Sequence, residues 1–146
     1  MLLEVMDKLE NNMNSNNMPE WYFTTKFEIP IKPAKYPDKF MILTAWNPLN
    51  QKLSKEENIS RNNALKKDLK ESFSFIYEIN GFDPESKHKE NGFMANCFDL
   101  EKACDYGLKY QQDAIYYVVE DKLYVVQCAL DKREMISVGK FLDRVF

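Results

Sequence analysis

The sequence is poor in the residues from which metal sites and hydrolytic triads are built. Its 146 residues include three cysteines and one histidine. The cysteines, Cys97, Cys104 and Cys128, lie far apart and form no C-x-x-C pair, and His88 is the single histidine, so the clustered ligands of a zinc site are missing. No G-x-S-x-G motif supports a serine hydrolase. We therefore expect no metal and no cofactor, and we interpret the cysteines as small core residues.

Long apolar runs are also missing. No segment approaches the roughly 20 consecutive apolar residues that cross a bilayer. Charged residues, Glu4, Asp7 and Lys8, interrupt the stretch in which a signal peptide would need an apolar run. We expect a cytoplasmic protein without a membrane partner.

An excess of positive charge is a third absence. The net charge is −3, and acidic and basic residues are interspersed, whereas affinity for nucleic acid comes mainly from Lys and Arg side chains that neutralise phosphates. One aromatic and basic strip, formed by Trp21, Tyr22, Phe23 and Lys26, is the only feature that favours sequence-specific nucleic-acid binding. A strand would bury about half of that strip, so we do not expect a nucleic-acid partner.

The residues that are present are typical of one globular domain. Hydrophobic residues make up 45% of the chain and charged residues 29%, and a chain of this length buries enough surface to fold without a metal or disulfide. Residues 2–9 predict a short amphipathic helix, and the Asn-rich residues 11–17 predict a linker, because amide side chains compete for backbone hydrogen bonds. The predicted organisation is a helical arm with its linker at residues 1–17 and a single domain at residues 18–146.

Hydrophobic periodicity predicts the elements of that domain. Ser54 and Glu57 form a capping box at the start of the middle helix, and Asp99 can cap a second helix. The turn pair Asn80 and Gly81 is expected to end a strand. Strands are predicted at residues 21–29, 40–46, 73–79, 93–97, 114–119 and 123–129, and helices at residues 54–71 and 100–108.

Consecutive strands and hairpins favour the α+β class. We predict a single domain with a mostly antiparallel or mixed sheet and helices packed on it. A three-layer α/β/α sandwich is the alternative. The tail at residues 133–146 is helix or strand, and its apolar spacing favours helix.

The middle helix carries an unusual polar face. Asn58, Asn62, Leu65 and Leu69 lie on one side by helical spacing, and a buried amide without a partner costs about 1–3 kcal/mol. In a structural interpretation, both asparagines bind the loop at residues 46–48 and tie a strand end to the helix. In a functional interpretation, they line a pocket at the helix N-terminus, where free N–H groups favour an anion.

Several of these residues also carry a resemblance. The stretch T-A-W-N-P at residues 44–48, the spaced Asn58 and Asn62, Glu90 shortly before Phe93, and Q-D-A at residues 112–114 resemble the domain-of-unknown-function family 3293. The resemblance covers about residues 40–128. It implies a compact bacterial α/β domain, and it brings no known activity or catalytic residue with it. It also implies a common grouping of Asn47, Asn58, Asn62, Glu90 and Gln112.

Two functions are compatible with these patterns. The first is binding of a small molecule, nucleotide-like or another anion, in an amide-rich pocket at the N-terminus of the helix at residues 54–71. Arg61 would add a forked donor, and Trp46 is either a stacking face or a core aromatic. The predicted ligand-binding residues are Trp46, Asn47, Asn58, Arg61, Asn62, Glu90 and Gln112.

The second function is that of a non-catalytic interaction or regulatory module. Its apolar arm at residues 2–13 would bind a protein partner or a second copy of the chain. Whether the protein is an enzyme stays open, because Glu90 is the only candidate acid or base. We interpret His88 as an exposed loop residue, since it lies in a charged run.

Overall fold

The computed structural model describes residues 20–129 and 131–146. The predicted arm and linker at residues 1–17 lie outside these residues. The strands are β1 (Lys26–Glu28), β2 (Lys39–Leu43), β3 (Ile76–Phe82), β4 (Lys89–Ala95), β5 (Ala114–Val119), β6 (Lys122–Gln127) and β7 (Ile136–Lys140), and the helices are α1 (Lys55–Ser72) and α2 (Leu100–Lys109).

The seven strands form one antiparallel sheet that curls until its edges approach each other. The strand order is β1-β3-β4-β2-β5-β6-β7. At one edge, Phe27 of β1 is bridged in parallel by Val145, and the Phe146 N–H donates to the Phe27 carbonyl at 3.1 Å. Because these last residues follow β7, at the opposite edge, the chain links the two edges and the sheet forms a half-barrel.

The two faces of the sheet bury two separate hydrophobic clusters. In β2, Met41 and Leu43 belong to the cluster that also contains Leu65 and Leu69 of α1. Their neighbours Phe40 and Ile42 point to the other face, since side chains alternate along a strand. The buried hydrophobic residues of the two described helices belong to the first cluster only. The predicted α+β class is therefore confirmed, whereas the alternative sandwich would need helices on both faces.

Aromatic side chains fill the inside of the curl. Phe141 meets Phe40 edge to face with ring centroids 5.2 Å apart, and Phe27 meets Tyr116 in the same way at 5.2 Å. Phe27 belongs to one edge strand and Phe141 directly follows the other. Burial of these rings therefore stabilises the curl itself.

Both predicted helix starts are confirmed. The Ser54 side chain accepts a hydrogen bond from the Glu57 N–H, and the Asp99 side chain accepts from the Glu101 and Lys102 N–H groups. These contacts satisfy donors that the first helical turn cannot satisfy internally.

Helix α2 lies close to the sheet because of Gly107. A Cβ atom at this position would lie 2.8 Å from both the Cys128 sulfur and the Ile115 Cγ2. All three cysteines are buried, as predicted. Leu108, which helical spacing places on the same side as the buried Cys104, is nevertheless 42% exposed.

The first predicted strand is only partly correct. Residues Glu20–Phe23 form a 3-10 turn, and β1 begins at Lys26. The Thr25 hydroxyl donates to the Trp21 carbonyl at 2.7 Å, and the Thr25 N–H donates to the same oxygen. These local bonds stabilise the turn against extension.

The predicted end of β3 at Asn80 and Gly81 is wrong. The strand continues to Phe82, since Asn80 pairs with Asn91 and Gly81 pairs with Glu90 of β4. The chain turns instead after Asp83, whose carboxylate accepts from the Ser86 hydroxyl. Long-range pairing thus outweighs the turn preference of the Asn-Gly pair.

The helix favoured for the tail is also wrong over most of its length. Residues Ile136–Lys140 form β7 on the edge of β6, and only Leu142–Arg144 form a 3-10 turn. Arg144 donates to the carbonyls of Thr25 and Val138, which belong to opposite ends of the sheet order. Sheet closure, which a local pattern does not reveal, determines this conformation.

The two helices are joined by a hydrogen-bonded carboxylate. Asp68 of α1 accepts from the Lys109 ammonium at 2.7 Å and from the Tyr110 hydroxyl at 2.8 Å. Burial raises the pKa of Asp68, but the hydrogen bonds from Lys109 and Tyr110 outweigh it and hold the pKa below its ordinary value.

We expect Asp68→Asn to lower the free energy of unfolding near neutral pH, with a deficit that disappears in acid. Because the folded-state pKa is lowered, the stabilisation is complete above the unfolded-state pKa of about 4 and is lost as pH falls through the folded-state value. Urea unfolding of both proteins across the acid range measures this difference. A deficit independent of pH would contradict the assignment.

Candidate functional site

Amide side chains from three parts of the chain converge where β2 ends. The Asn58 Nδ2 donates to the Asn47 Oδ1 at 2.8 Å, and the Asn58 Oδ1 accepts from the Asn47 N–H at 2.8 Å. The Asn47 Oδ1 also accepts from the Leu53 N–H at 3.1 Å. Asn47 has left-handed backbone angles, φ 46° and ψ 72°, which asparagine tolerates better than most residues. This reciprocal pair holds the loop against α1.

One helical turn further on, Asn62 binds two strands at once. Its Oδ1 accepts from the Ala45 N–H at 2.9 Å, and its Nδ2 donates to the Asn91 carbonyl at 2.8 Å. The Thr44 hydroxyl donates to the same carbonyl. Asn62 therefore replaces sheet hydrogen bonds at the point where β2 and β4 separate.

Arg61 and Gln112 extend this network to the end of α2. The Arg61 Nε donates to the Ala45 carbonyl at 2.7 Å, and its Nη2 donates to the Tyr110 carbonyl at 2.7 Å. The Gln112 Nε2 donates to the carbonyls of Trp46 and Tyr110, each at 3.2 Å. The planar guanidinium thus joins two loop segments that are far apart in sequence.

The structure brings six of the seven predicted site residues into this network. They are Trp46, through its carbonyl, with Asn47, Asn58, Arg61, Asn62 and Gln112. Asn58 and Asn62 are only 2% and 6% exposed. Asn58 binds the loop at Asn47, as in the structural interpretation, whereas Asn62 binds Ala45 and Asn91 outside residues 46–48. A ligand-binding role for them stays a prediction.

Glu90, the seventh residue, lies on the concave side of the sheet, next to His88. The His88 Nε2 and the Glu90 Oε2 are 2.8 Å apart. His88 lies in an exposed loop, as predicted, with its side chain 54% exposed. In an extended chain, residues two apart have their side chains on the same side. This spacing is the sequence signal from which the contact between His88 and Glu90 could have been predicted.

These two residues border a pocket on the concave side, which we call the concave pocket. Its volume is about 310 Å³. Ile42, Ile79 and Phe27, all buried, form part of its apolar wall. Its polar and aromatic border comes from three regions: Trp21, Tyr22 and Thr25 before β1, Asp83, Ser86, His88 and Glu90 of the β3–β4 hairpin, and Gln112, Asp113 and Tyr116 around the start of β5.

Buried tyrosine hydroxyls lie in the wall of the concave pocket. Burial raises the pKa of Tyr22 well above its usual range, and the neighbouring Tyr116, Asp113 and Glu90 raise it further. The pKa of Tyr116 is also raised, mainly by burial, and its hydroxyl donates to the Tyr22 carbonyl at 2.9 Å. Both phenols are therefore neutral hydrogen-bonding groups near physiological pH.

Most residues of this pocket are not among the predicted ligand-binding residues. The sequence pattern predicts a strand at Trp21 and Tyr22, and it gives no signal that Asp83 and Asp113 belong to a site. These residues meet only because β3, β4, β2 and β5 are neighbours in the sheet. No local pattern indicates that strand order.

A family model described as a protein of unknown function, DUF3293, matches residues 43–115. The chain belongs to the DUF3293 family. A search of curated proteins and a search of solved structures gave no match. The matched segment runs from the end of β2 to the start of β5 and contains both helices. It therefore includes the whole amide network, whereas part of the concave pocket, at residues 21–27, lies outside it.

In the part of the DUF3293 chain that the structure describes, no helix is long and apolar enough to span a bilayer. Within the same residues, no three His, Cys, Asp or Glu side chains are grouped as metal ligands would be.

We expect Asn62→Ala to lower the free energy of unfolding by about 2 kcal/mol or more, since it leaves the buried Ala45 N–H without its acceptor. For a domain of this size, the thermal midpoint would fall by roughly 4–8 °C. The neighbouring Asn63, which is exposed on the same helix, provides the matched control. Asn63→Ala should be neutral or slightly stabilising because alanine is the better helix former. Equal losses for both variants would refute the role assigned to Asn62.

Proposed function

We propose that this DUF3293 protein binds a small molecule in the concave pocket. The observation that carries the proposal is a cavity of about 310 Å³ with an apolar wall and polar groups at its border. Small-molecule sites are typically concave, mostly apolar and about 300–1,000 Å³ in volume, with a few polar groups that orient the ligand. The ligand is therefore small.

The proposed site differs from the pocket that the sequence predicts at the N-terminus of α1. The amides of Asn58 and Asn62 are hydrogen-bonded to main chain and to Asn47, so a ligand there would have to break those bonds. Two predicted residues, Glu90 and Gln112, border the concave pocket and remain part of the proposed site. Glu90 also remains the candidate acid or base, with His88 beside it.

Two glycines lie on the concave side, and an added side chain would have a different effect at each of them. A Cβ atom on Gly92 would lie 2.6 Å from the Leu43 carbonyl oxygen, so this glycine permits close contact of two strands. A Cβ atom on Gly81 would meet only the Thr25 methyl, at 3.7 Å. Gly81 therefore contributes open space to the pocket, and a side chain can be added there without a clash.

The alternative function, an interaction or regulatory module, depends on residues 2–13, which lie outside the described residues. It remains a prediction. A cytoplasmic location is also part of this proposal. It is supported by the three free cysteines, because disulfides are typical of oxidising compartments.

A fragment screen followed by amide NMR tests the proposal. We expect bound fragments to shift the amide signals of residues around the concave pocket, such as Thr25, Gly81 and Ala114. Gly81→Val, which fills the open space with a residue that strands favour, should abolish these shifts. Its thermal midpoint should remain within a few degrees of that of the wild type.

Ser137→Val is the matched control, because Ser137 is exposed in β7 and does not border the pocket. This variant should bind the same fragments as the wild type. The proposal fails if no fragment shifts the pocket residues, or if Gly81→Val binds the fragments unchanged.

A further inference from the structure

The charged residues that line the concave pocket are mainly acidic. Three of its bordering residues are carboxylates, Asp83, Glu90 and Asp113, whereas none of the described residues that line it is Lys or Arg. Asp83 and Glu90 come from the β3–β4 hairpin, and Asp113 comes from the segment before β5. Two segments that are distant in sequence therefore bring carboxylates to the lining of one cavity.

Two basic side chains next to lining residues, Arg144 and Lys89, have partners of their own. Arg144 donates to the main-chain carbonyls of Thr25 and Val138, and Lys89 pairs with Glu28 at 2.9 Å. The Lys87 ammonium lies 5.8 Å from the centroid of the Phe82 ring, which itself borders the pocket. His88, which pairs with Glu90, is the only base among the described lining residues. An anion in the cavity would therefore meet carboxylates, and no Lys or Arg among the described lining residues would bind it.

Aromatic side chains also border the pocket. Trp21 stacks on Tyr22 with ring centroids 4.0 Å apart and an interplanar angle of 25°, and Trp21 remains 46% exposed. An exposed indole next to a cavity offers a face to a ligand ring and also attracts cations through its π electrons.

We propose that the ligand of the concave pocket is an aromatic amine, with its ring beside Trp21 and Tyr22 and its ammonium group facing the carboxylates of Glu90 and Asp83 on the β3–β4 hairpin. This inference rests on the proposed function and adds the chemical class of the ligand. A half-enclosed cavity strengthens the attraction between an ammonium and a carboxylate relative to bulk water. The same effect disfavours a carboxylate or phosphate ligand, which the amide-rich helix end would have suited.

A matched pair of probes separates charge from shape. Tryptamine and indole-3-propionate share an indole ring on a two-carbon linker and differ in carrying an ammonium or a carboxylate. NMR titration of the full chain with each should show tryptamine shifting the signals of residues around the concave pocket. Indole-3-propionate should bind at least about fivefold more weakly, the effect of about one partly exposed charge contact.

Glu90→Gln tests whether the pocket carboxylates cause that preference. The change keeps the shape of the side chain and removes its charge, so tryptamine affinity should fall about fivefold while indole-3-propionate affinity should not fall. Glu78→Gln is the control, because Glu78 is exposed on β3 and does not border the pocket. It should leave both affinities unchanged.

The outcomes distinguish this inference from the proposed function. Equal or tighter binding of indole-3-propionate at the pocket, or an unchanged tryptamine affinity in Glu90→Gln, overturns the aromatic amine and leaves the binding site intact. If neither indole binds, the fragments that bind the pocket in the screen test the inference by their charge. A majority of amines among them supports an amine ligand, and as many acids as amines overturns it. If no fragment reaches the pocket, both proposals fail.

Discussion

The hydrogen bonds between buried carboxamides and main chain at the end of β2 are the constraint on which the rest of the structure depends. Beyond Leu43 the strand leaves the sheet, and its N–H groups lose their strand partners. Asn62 and Asn58 supply acceptors to the N–H groups of Ala45 and Asn47. A buried backbone donor without an acceptor is costly, so α1 must lie where its amides reach this loop. Arg61 carries the same constraint to the end of α2 through the Tyr110 carbonyl.

The amide network and the concave pocket share the loops at residues 44–49 and 110–112. The amides act on the helix-covered side, where they position the loops at residues 44–49 and 110–112. Thr44, Leu49 and Gln112 of those loops also border the pocket. The polar residues with the strongest pattern in the sequence therefore support the site, whereas the residues that face the open space come from the β3–β4 hairpin and the turn before β1. A family match at residues 43–115 is consistent with a shared structural framework.

Local chemistry explains which predictions succeeded. Ser54 and Asp99 cap helices because a side-chain oxygen satisfies nearby N–H groups whatever the rest of the fold does. The hairpin of β5 and β6 follows from two apolar runs on either side of a two-residue turn. Predictions failed where distant pairing decided the outcome. Asn80 and Gly81 remain in a strand because β4 pairs with them, and the tail is extended because β6 offers it an edge.

The amino-acid sequence alone determined the positions of the two described helices, most strands, the burial of the cysteines and the contact of Asn58 with the loop at Asn47. All of these follow from spacing, capping and burial within short stretches of chain. Only the tertiary structure decided that Glu90 lies apart from those amides, beside His88, and that Trp21 and Asp113 border the same cavity. The physical reason is the order and curl of the strands, which depend on the combined burial of aromatic side chains such as Phe27 and Phe141 from the two edges of the sheet.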